Sequence, residues 1–351
     1  MADMSEILNM VREGRLNEAT ASIQRRLSDN ATASPETGPM KDVTPPSGIL
    51  PESGTATRMK ARGKSVRPKR EAWTGKPRRP ATEPPLPAGS QWLARQGDLA
   101  YRLFVPSAPK AGAPLIVMLH GCTQTPEDFA AGTGMQAAAE VAGAHVIWPE
   151  QSNRANMNRC WNWFEPAHQG RSGEAARIVE IVAQVLDEIG GRRTVHAAGL
   201  SAGGAMAAIL GAQYPEVFTS IGIHSGLPAG SAQDVPSAFA AMGSGGRAGT
   251  ALAVPAIVFH GTADRTVAFA NAAALLPGGE LPSDAPLRRE RIGGRQVSIA
   301  TVTIPGQPHP SELWEIAELG HAWSGGDAAG SYADPAGPDA TAEMMRFFVG
   351  D

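Results

Sequence analysis

The chain is poor in cysteine, in aromatic residues and in long apolar runs. Only Cys122 and Cys160 occur among 351 residues, so no disulfide framework staples the molecule. The two either form one bridge or stay as free thiols. No run of about 18 apolar residues exists, so no membrane-spanning helix is expected. There is no His-Glu-x-x-His segment and no paired-cysteine spacing, and the eight histidines are scattered. No metal-site pattern is therefore expected. The first residues, Met1 to Glu6, show neither a charged n-region nor an apolar h-region. They predict a cytoplasmic protein, with an extracellular one as the alternative.

Apolar residues make up 42% of the sequence, enough to fill a full core in a chain of this length. Charge is unevenly spread. Residues 1–80 hold 15 of the 31 Lys and Arg and 9 of the 34 Asp and Glu, so a basic front end precedes an acidic body. Residues 1–28 read as a short helical segment, with Leu16, Ala19, Ile23 and Leu27 at helical spacing. Such a segment is too small to be stable alone, so docking to a partner or a polymer surface is expected of it. Residues 29–89 have the Pro-, Ser- and Gly-rich composition of a disordered linker. Its basic run, Arg58 to Arg79, has only Trp73 as an aromatic neighbour. That is a solvated linker and not a nucleic-acid site.

From residue 90 to 351 strands and helices alternate. Leu99–Val105 reads as an outer strand and Leu115–Leu119 as a buried one. Further strands are expected at His145–Trp148, Thr194–Ala198, Ser220–His224, Ala256–His260 and, last, Glu312–Ala317. Helices are expected over 127–142, 173–189 and 340–348 and after residue 201. Near-continuous apolar strands separated by helices predict an α/β fold with a mostly parallel sheet covered on both faces. Sites on such sheets lie at the carboxyl ends of the strands.

Gly199-x-Ser201-x-Gly203 lies where a strand turns sharply into a helix, the context of a nucleophile elbow. A serine nucleophile needs a base, an orienting carboxylate and an oxyanion hole. Asp264 follows a buried strand in His260-Gly261-Thr262-Ala263-Asp264, and His321 lies in the Gly-flanked loop after the last expected strand. The order Ser201, Asp264, His321 is that of the α/β-hydrolases. His309 is wedged between prolines, and His260 sits at a strand end as a structural residue would, so both are weaker candidates for the base than His321. The Ala202 N–H and the Cys122 N–H are the expected oxyanion donors, with Thr123 and Gln124 as helpers. Trp161, Trp163 and Trp323, with Phe164, are candidates for an apolar substrate cleft.

These residues resemble a known family. His120-Gly121-Cys122-Thr123-Gln124, Pro149-Glu150-Gln151, Cys160-Trp161-Asn162-Trp163-Phe164, the segment around Ser201, His260-Gly261-x-x-Asp264 and Gly320-His321-x-Trp323 resemble the polyhydroxybutyrate depolymerase family of esterases. That family is related to feruloyl and acetylxylan esterases. The resemblance covers about residues 90–350. It implies an α/β-hydrolase fold, the Ser201–Asp264–His321 triad and a Cys122–Cys160 disulfide beside the oxyanion hole. It also implies short-chain hydroxyalkanoate polyester or related ester substrates.

The expected function is that of a serine carboxylesterase acting on poly(3-hydroxybutyrate) or its oligomers, with no cofactor. A feruloyl or acetyl esterase of plant polysaccharide is the alternative enzyme. A polymer- or granule-associated binding protein with weak hydrolysis is the alternative of another class.

Overall fold

The computed structural model describes residues 84–245, 249–276, 279–303 and 306–350. The helical segment expected at 1–28, and the linker expected at 29–89 as far as residue 83, lie outside the described residues. The chain already packs before residue 90. Pro84 is buried, and the Pro85 carbonyl accepts from Gln136 Nε2.

In chain order the elements are β1 (Gln91–Arg95), β2 (Tyr101–Val105), β3 (Leu115–Leu119), α1 (Pro126–Thr133), α2 (Met135–Ala142) and β4 (His145–Pro149). Next come α3 (Gly173–Ile189), β5 (Val195–Leu200), α4 (Ala202–Gln213), β6 (Ser220–His224), α5 (Val235–Ser244) and β7 (Ala256–Gly261). The chain closes with α6 (Asn271–Ala274), β8 (Leu287–Ile292), β9 (Arg295–Val302), β10 (Ser311–Ile316), the two-residue strands β11 (Trp323–Ser324) and β12 (Ala333–Asp334), and α7 (Ala340–Val349).

Ten strands form one sheet in the order β1-β2-β4-β3-β5-β6-β7-β10-β9-β8. The six central strands, β4 to β10 in that order, are parallel. Both edges are antiparallel. Burial explains the difference. All five residues of β3 are buried, as a strand covered on both faces requires. The edge strand β8, Leu-Arg-Arg-Glu-Arg-Ile, is mostly exposed, and its charges guard a free edge. One core layer packs Ile178, Val182 and Val185 of α3 with Met206, Ile209 and Leu210 of α4. The other packs Phe129 of α1, Met135 of α2 and Met344, Phe347 and Phe348 of α7. Helices therefore cover both faces, and the fold is that of an α/β-hydrolase.

Two expectations need correction. The helix expected over 127–142 is two, because Gly134 adopts φ 65° and turns the chain. The strand expected to be last is followed by β11 and β12. The β8–β9 hairpin and α5 were not foreseen, although both carry local signals. Gly293-Gly294, at φ 53° and 84°, is a two-residue hairpin loop. Asp234 caps α5 in a capping box with Ser237.

Register levels the carboxyl ends of the central strands. Leu119 pairs with Gly199, Leu200 with His224, His224 with Phe259 and Ile316 with Gly261. The loops after β3, β5, β6, β7 and β10 consequently leave from one edge of the sheet. The proposed triad and oxyanion residues lie on these loops or at the start of α4, whereas Cys160, Trp161 and Trp163 lie in the segment between β4 and α3.

Candidate active site

Ser201 stands between β5 and α4 at φ 58°, ψ −119°, a conformation that side-chain-bearing residues rarely adopt. Crowding explains the flanking glycines. A Cβ on Gly199 would lie 2.4 Å from the Gly203 carbonyl, and one on Gly203 would lie 2.0 Å from the Leu119 oxygen. The turn is pinned from the side, where the Ser201 N–H donates to the His224 carbonyl at 2.9 Å.

Asp264 lies in the loop after β7 with its side chain buried. Its Oδ1 accepts from the N–H groups of Thr266 at 2.8 Å and Val267 at 2.9 Å. Its Oδ2 accepts from His321 Nδ1 at 2.7 Å. Burial pushes the carboxyl upward, but the hydrogen bonds from His321 Nδ1 and the Val267 N–H outweigh it. Together they hold Asp264 at about 2, so it is ionised at neutral pH. The contact commits His321 Nδ1 as the donor and leaves Nε2 free to accept. Among the described residues Ser201 Oγ has no hydrogen-bond partner. His321 is thus seated on Asp264, while the serine–histidine arm is open. Such arms commonly tighten only when substrate is bound.

The loop after β3 is held from several directions. His120 Nδ1 donates to the Gly121 carbonyl at 2.8 Å, and its Nε2 accepts from the Gln151 N–H at 3.1 Å. Accepting at Nε2 requires the neutral ring, and burial pushes His120 down to about 4. Gln124 Oε1 accepts from the Gly121 N–H at 2.9 Å. The Thr123 N–H donates to the Asn158 carbonyl at 2.6 Å. A disulfide joins Cys122 to Cys160 and ties this loop to the 151–162 segment, which the buried Glu174 holds in turn through Gln151 and Asn162. Among the described residues the amides of Cys122 and Ala202 have no acceptor. Ala202 opens α4, where an N–H has no partner within the helix and the dipole favours negative charge.

Several candidate substrate contacts belong to the core. Trp161 has no exposed surface, and its indole N–H donates to the His120 carbonyl. Trp323 is just as deeply packed, and its N–H donates to Thr341. Trp163 is buried edge-on against Phe164. Gln124 is buried too, and its amide reaches Asp128 and Ser331. These four build the walls from behind instead of meeting a ligand. Thr123 alone of the five is exposed. Two side chains passed over in the sequence matter here. Tyr332, at φ 53°, meets the His321 ring edge-on. His224, stacked between Phe259 and Trp323, accepts from the Ser324 N–H and so fastens the segment after His321.

The geometry offers an oriented imidazole, a serine at the tip of an elbow and two free amides at one sheet edge, the parts needed for acyl transfer. Among the described residues no group of three or more His, Cys, Asp or Glu side chains could hold a metal ion. No helix of the described residues is long and apolar enough to cross a membrane.

Known proteins of two kinds match. The family model "Esterase PHB depolymerase" matches residues 99–278. Poly(3-hydroxyalkanoate) depolymerase C of Paucimonas lemoignei is 37% identical over 52% of this chain and 48% of its own. Poly(3-hydroxybutyrate) depolymerase of Ralstonia pickettii is 28% identical over 70% of this chain and 55% of its own. Feruloyl esterase B of Thermothelomyces thermophilus is 32% identical over 44% of this chain and 54% of its own. The chain thus spans about half the length of these relatives. An acetyl xylan esterase structure from Aspergillus awamori matches with a TM-score of 0.53 at 19% identity, over 66% of this chain and 93% of its own. That likeness is one of fold.

Proposed function

Because the chain belongs to the esterase PHB depolymerase family, we propose that it is a serine carboxylesterase. Its substrates are short-chain polyhydroxyalkanoate esters, poly(3-hydroxybutyrate) or its oligomers, and it works through an acyl-enzyme on Ser201. The observation that carries this reading is the 2.7 Å bond from His321 Nδ1 to Asp264 Oδ2, at the sheet edge where Ser201 turns out.

In the proposed mechanism His321 Nε2 takes the Ser201 proton as Oγ attacks the ester carbonyl. Asp264 stabilises the imidazolium that results. The Cys122 and Ala202 amides meet the developing oxyanion. The alcohol leaves with the proton from His321. Water, activated by the same imidazole, then releases the acid from Ser201. The reaction so written needs no cofactor.

The relatives named as depolymerases support the polyester substrate. A second reading, a feruloyl or acetyl esterase, is favoured by the relative named feruloyl esterase B and uses the same residues. The Cys122–Cys160 bridge is of a kind that persists in oxidising compartments, which supports the extracellular alternative over the cytoplasmic one. Docking to polymer or a partner through the basic front end belongs to the same proposal. Removing residues 1–83 is expected to abolish co-sedimentation with polymer while soluble ester is still turned over.

The test compares wild type with Ser201→Ala on 4-nitrophenyl butyrate, 4-nitrophenyl acetate, methyl ferulate and amorphous poly(3-hydroxybutyrate). Wild type is expected to clear the polymer, and the variant to lose on the order of a millionfold in kcat. Turnover of ferulate or acetate alone reassigns the substrate. Full activity in Ser201→Ala refutes the mechanism.

A further inference from the structure

Tyr332 reaches this site without a task in the mechanism. Its backbone holds φ 53°, a conformation that a bulky residue adopts only where neighbours impose it. Those neighbours are present. The Trp323 N–H donates to the Tyr332 carbonyl at 2.7 Å. The preceding Ser331 is fastened to α1 and to the loop before it: its N–H donates to Asp128 Oδ1 at 3.0 Å, its hydroxyl donates to Asp128 Oδ2, and its carbonyl accepts from Gln124 Nε2 at 3.0 Å.

The result is a half-buried phenol set between two proposed catalytic groups. Its ring meets His321 edge-on, with centroids 6.2 Å apart. Its hydroxyl lies 3.4 Å from Thr123 Oγ1, one residue from the proposed oxyanion donor Cys122. Thr123 Oγ1 donates its own proton to the Cys122 carbonyl at 2.6 Å. Towards Tyr332 it can therefore only accept, and the phenol is the donor. At 3.4 Å that bond is long for two hydroxyls, so a better-placed acceptor would displace it.

We propose that the Tyr332 hydroxyl, aided by Thr123 Oγ1, recognises the oxygen on C3 of a 3-hydroxyacyl ester. This rests on the esterase reading above. The C3 oxygen stands two carbons from the scissile carbonyl. It is a hydroxyl in a monomer ester and an ester oxygen within a polyester, and both forms accept a hydrogen bond from a phenol. The monomer hydroxyl can also donate to Thr123 Oγ1. Acetate has no C3, and the C3 of ferulate is vinylic and bears no oxygen. The pair therefore selects among the esters that the family's relatives are named for. Tyr332 acts by touching substrate, and its strained backbone is the means of placing it.

The experiment measures kcat/KM for methyl (R)-3-hydroxybutyrate and for methyl butyrate, esters of equal length that differ only in the C3 hydroxyl. Wild type, Tyr332→Phe, Thr123→Val and Ser201→Ala are compared. Wild type is expected to favour the hydroxylated ester. Tyr332→Phe keeps the ring against His321 and should lower the ratio of the two constants about tenfold, the size of one neutral hydrogen bond. Thr123→Val should lower it in the same direction by less. A ratio that Tyr332→Phe leaves unmoved overturns the proposal, whether both rates fall together or neither does. So does a wild type without preference. Ser201-dependent turnover with an unmoved ratio overturns this inference alone. Turnover of both esters no faster than in Ser201→Ala overturns the esterase reading and this one with it.

Discussion

At the scale of single residues, the two oxygens of Asp264 have separate duties, and this makes one substitution informative. Oδ1 accepts from two backbone N–H groups, whereas Oδ2 faces His321 Nδ1. In Asp264→Asn the amide oxygen must stay with the backbone donors, so the NH2 group turns to His321. It then donates to Nδ1, and the imidazole proton moves to Nε2, where the base should be. A loss on the order of 10⁴ in kcat is expected with the fold retained, measured on 4-nitrophenyl butyrate beside a thermal melt. A loss of less than tenfold would remove Asp264 from the mechanism. The Asp264–His321 contact could be anticipated from sequence, because each residue lies in the loop that follows a recognisable buried strand. Tyr332 could not. Its placement depends on a positive φ and on the clamp of Ser331 to Asp128 and Gln124, more than 200 positions away in the chain. The tryptophans misled for a related reason. A run such as Trp161-Asn162-Trp163 marks apolar volume but not the side on which it is spent.

At the scale of elements, the passage from β5 to α4 is fixed by contact with β3. A methyl group on Gly203 would meet the Leu119 and His120 carbonyls at 2.0 and 2.6 Å. These are backbone atoms at the end of a central strand and just past it, and they cannot yield, so α4 must lift at its first turn. Gly203→Ala is expected to cost about 1–3 kcal/mol of stability, as overpacking does. It should also lower kcat, because the Ala202 amide moves with the turn. Urea unfolding and kcat measured on the same preparation check this, and unchanged values in both would contradict the crowding. The elements read well from sequence were those with a covered face on each side, such as β3, β6 and the amphipathic α3, whose bounds at Gly173 and Ile189 match the expectation. Exposed elements were the ones missed. β8 has four charged residues in six and no apolar alternation, because its outer neighbours are solvent. Only the Gly293-Gly294 loop announced it.

At the scale of the whole molecule, the parallel sheet buries several histidines, and burial disfavours their charged form. Burial lowers His120 to about 4 and His196 and His224 to about 3, and it lowers His145 and His260 as well. An unfolded chain protonates these rings near pH 6.5. Between that value and the folded ones the unfolded state binds the extra protons, so stability is full above about pH 6.5 and falls as pH drops. Each ring contributes about 1.4 kcal/mol per pH unit, and three give about 4 once all are protonated in the unfolded state. Asp264 contributes elsewhere. Its lowered value supplies stability above about pH 3.9 that is lost only as pH falls towards 2. The slope between pH 6.5 and 5 therefore belongs to the histidines. Against a total stability of about 5–15 kcal/mol, acid unfolding is expected before the carboxylates are protonated. Urea midpoints at pH 7.5, 6.0 and 5.0 should fall steeply. His196 stacks on Phe348 at the start of β5, away from the site edge. In His196→Asn the stability at pH 7.5 should drop, because a packed ring is lost, while the slope below pH 6 should be smaller by the contribution of one proton. A midpoint that stays level from pH 7.5 to 5.0 in wild type would mean that the buried rings carry charge in the fold, and the neutral His120 clamp on the proposed oxyanion loop would have to be abandoned.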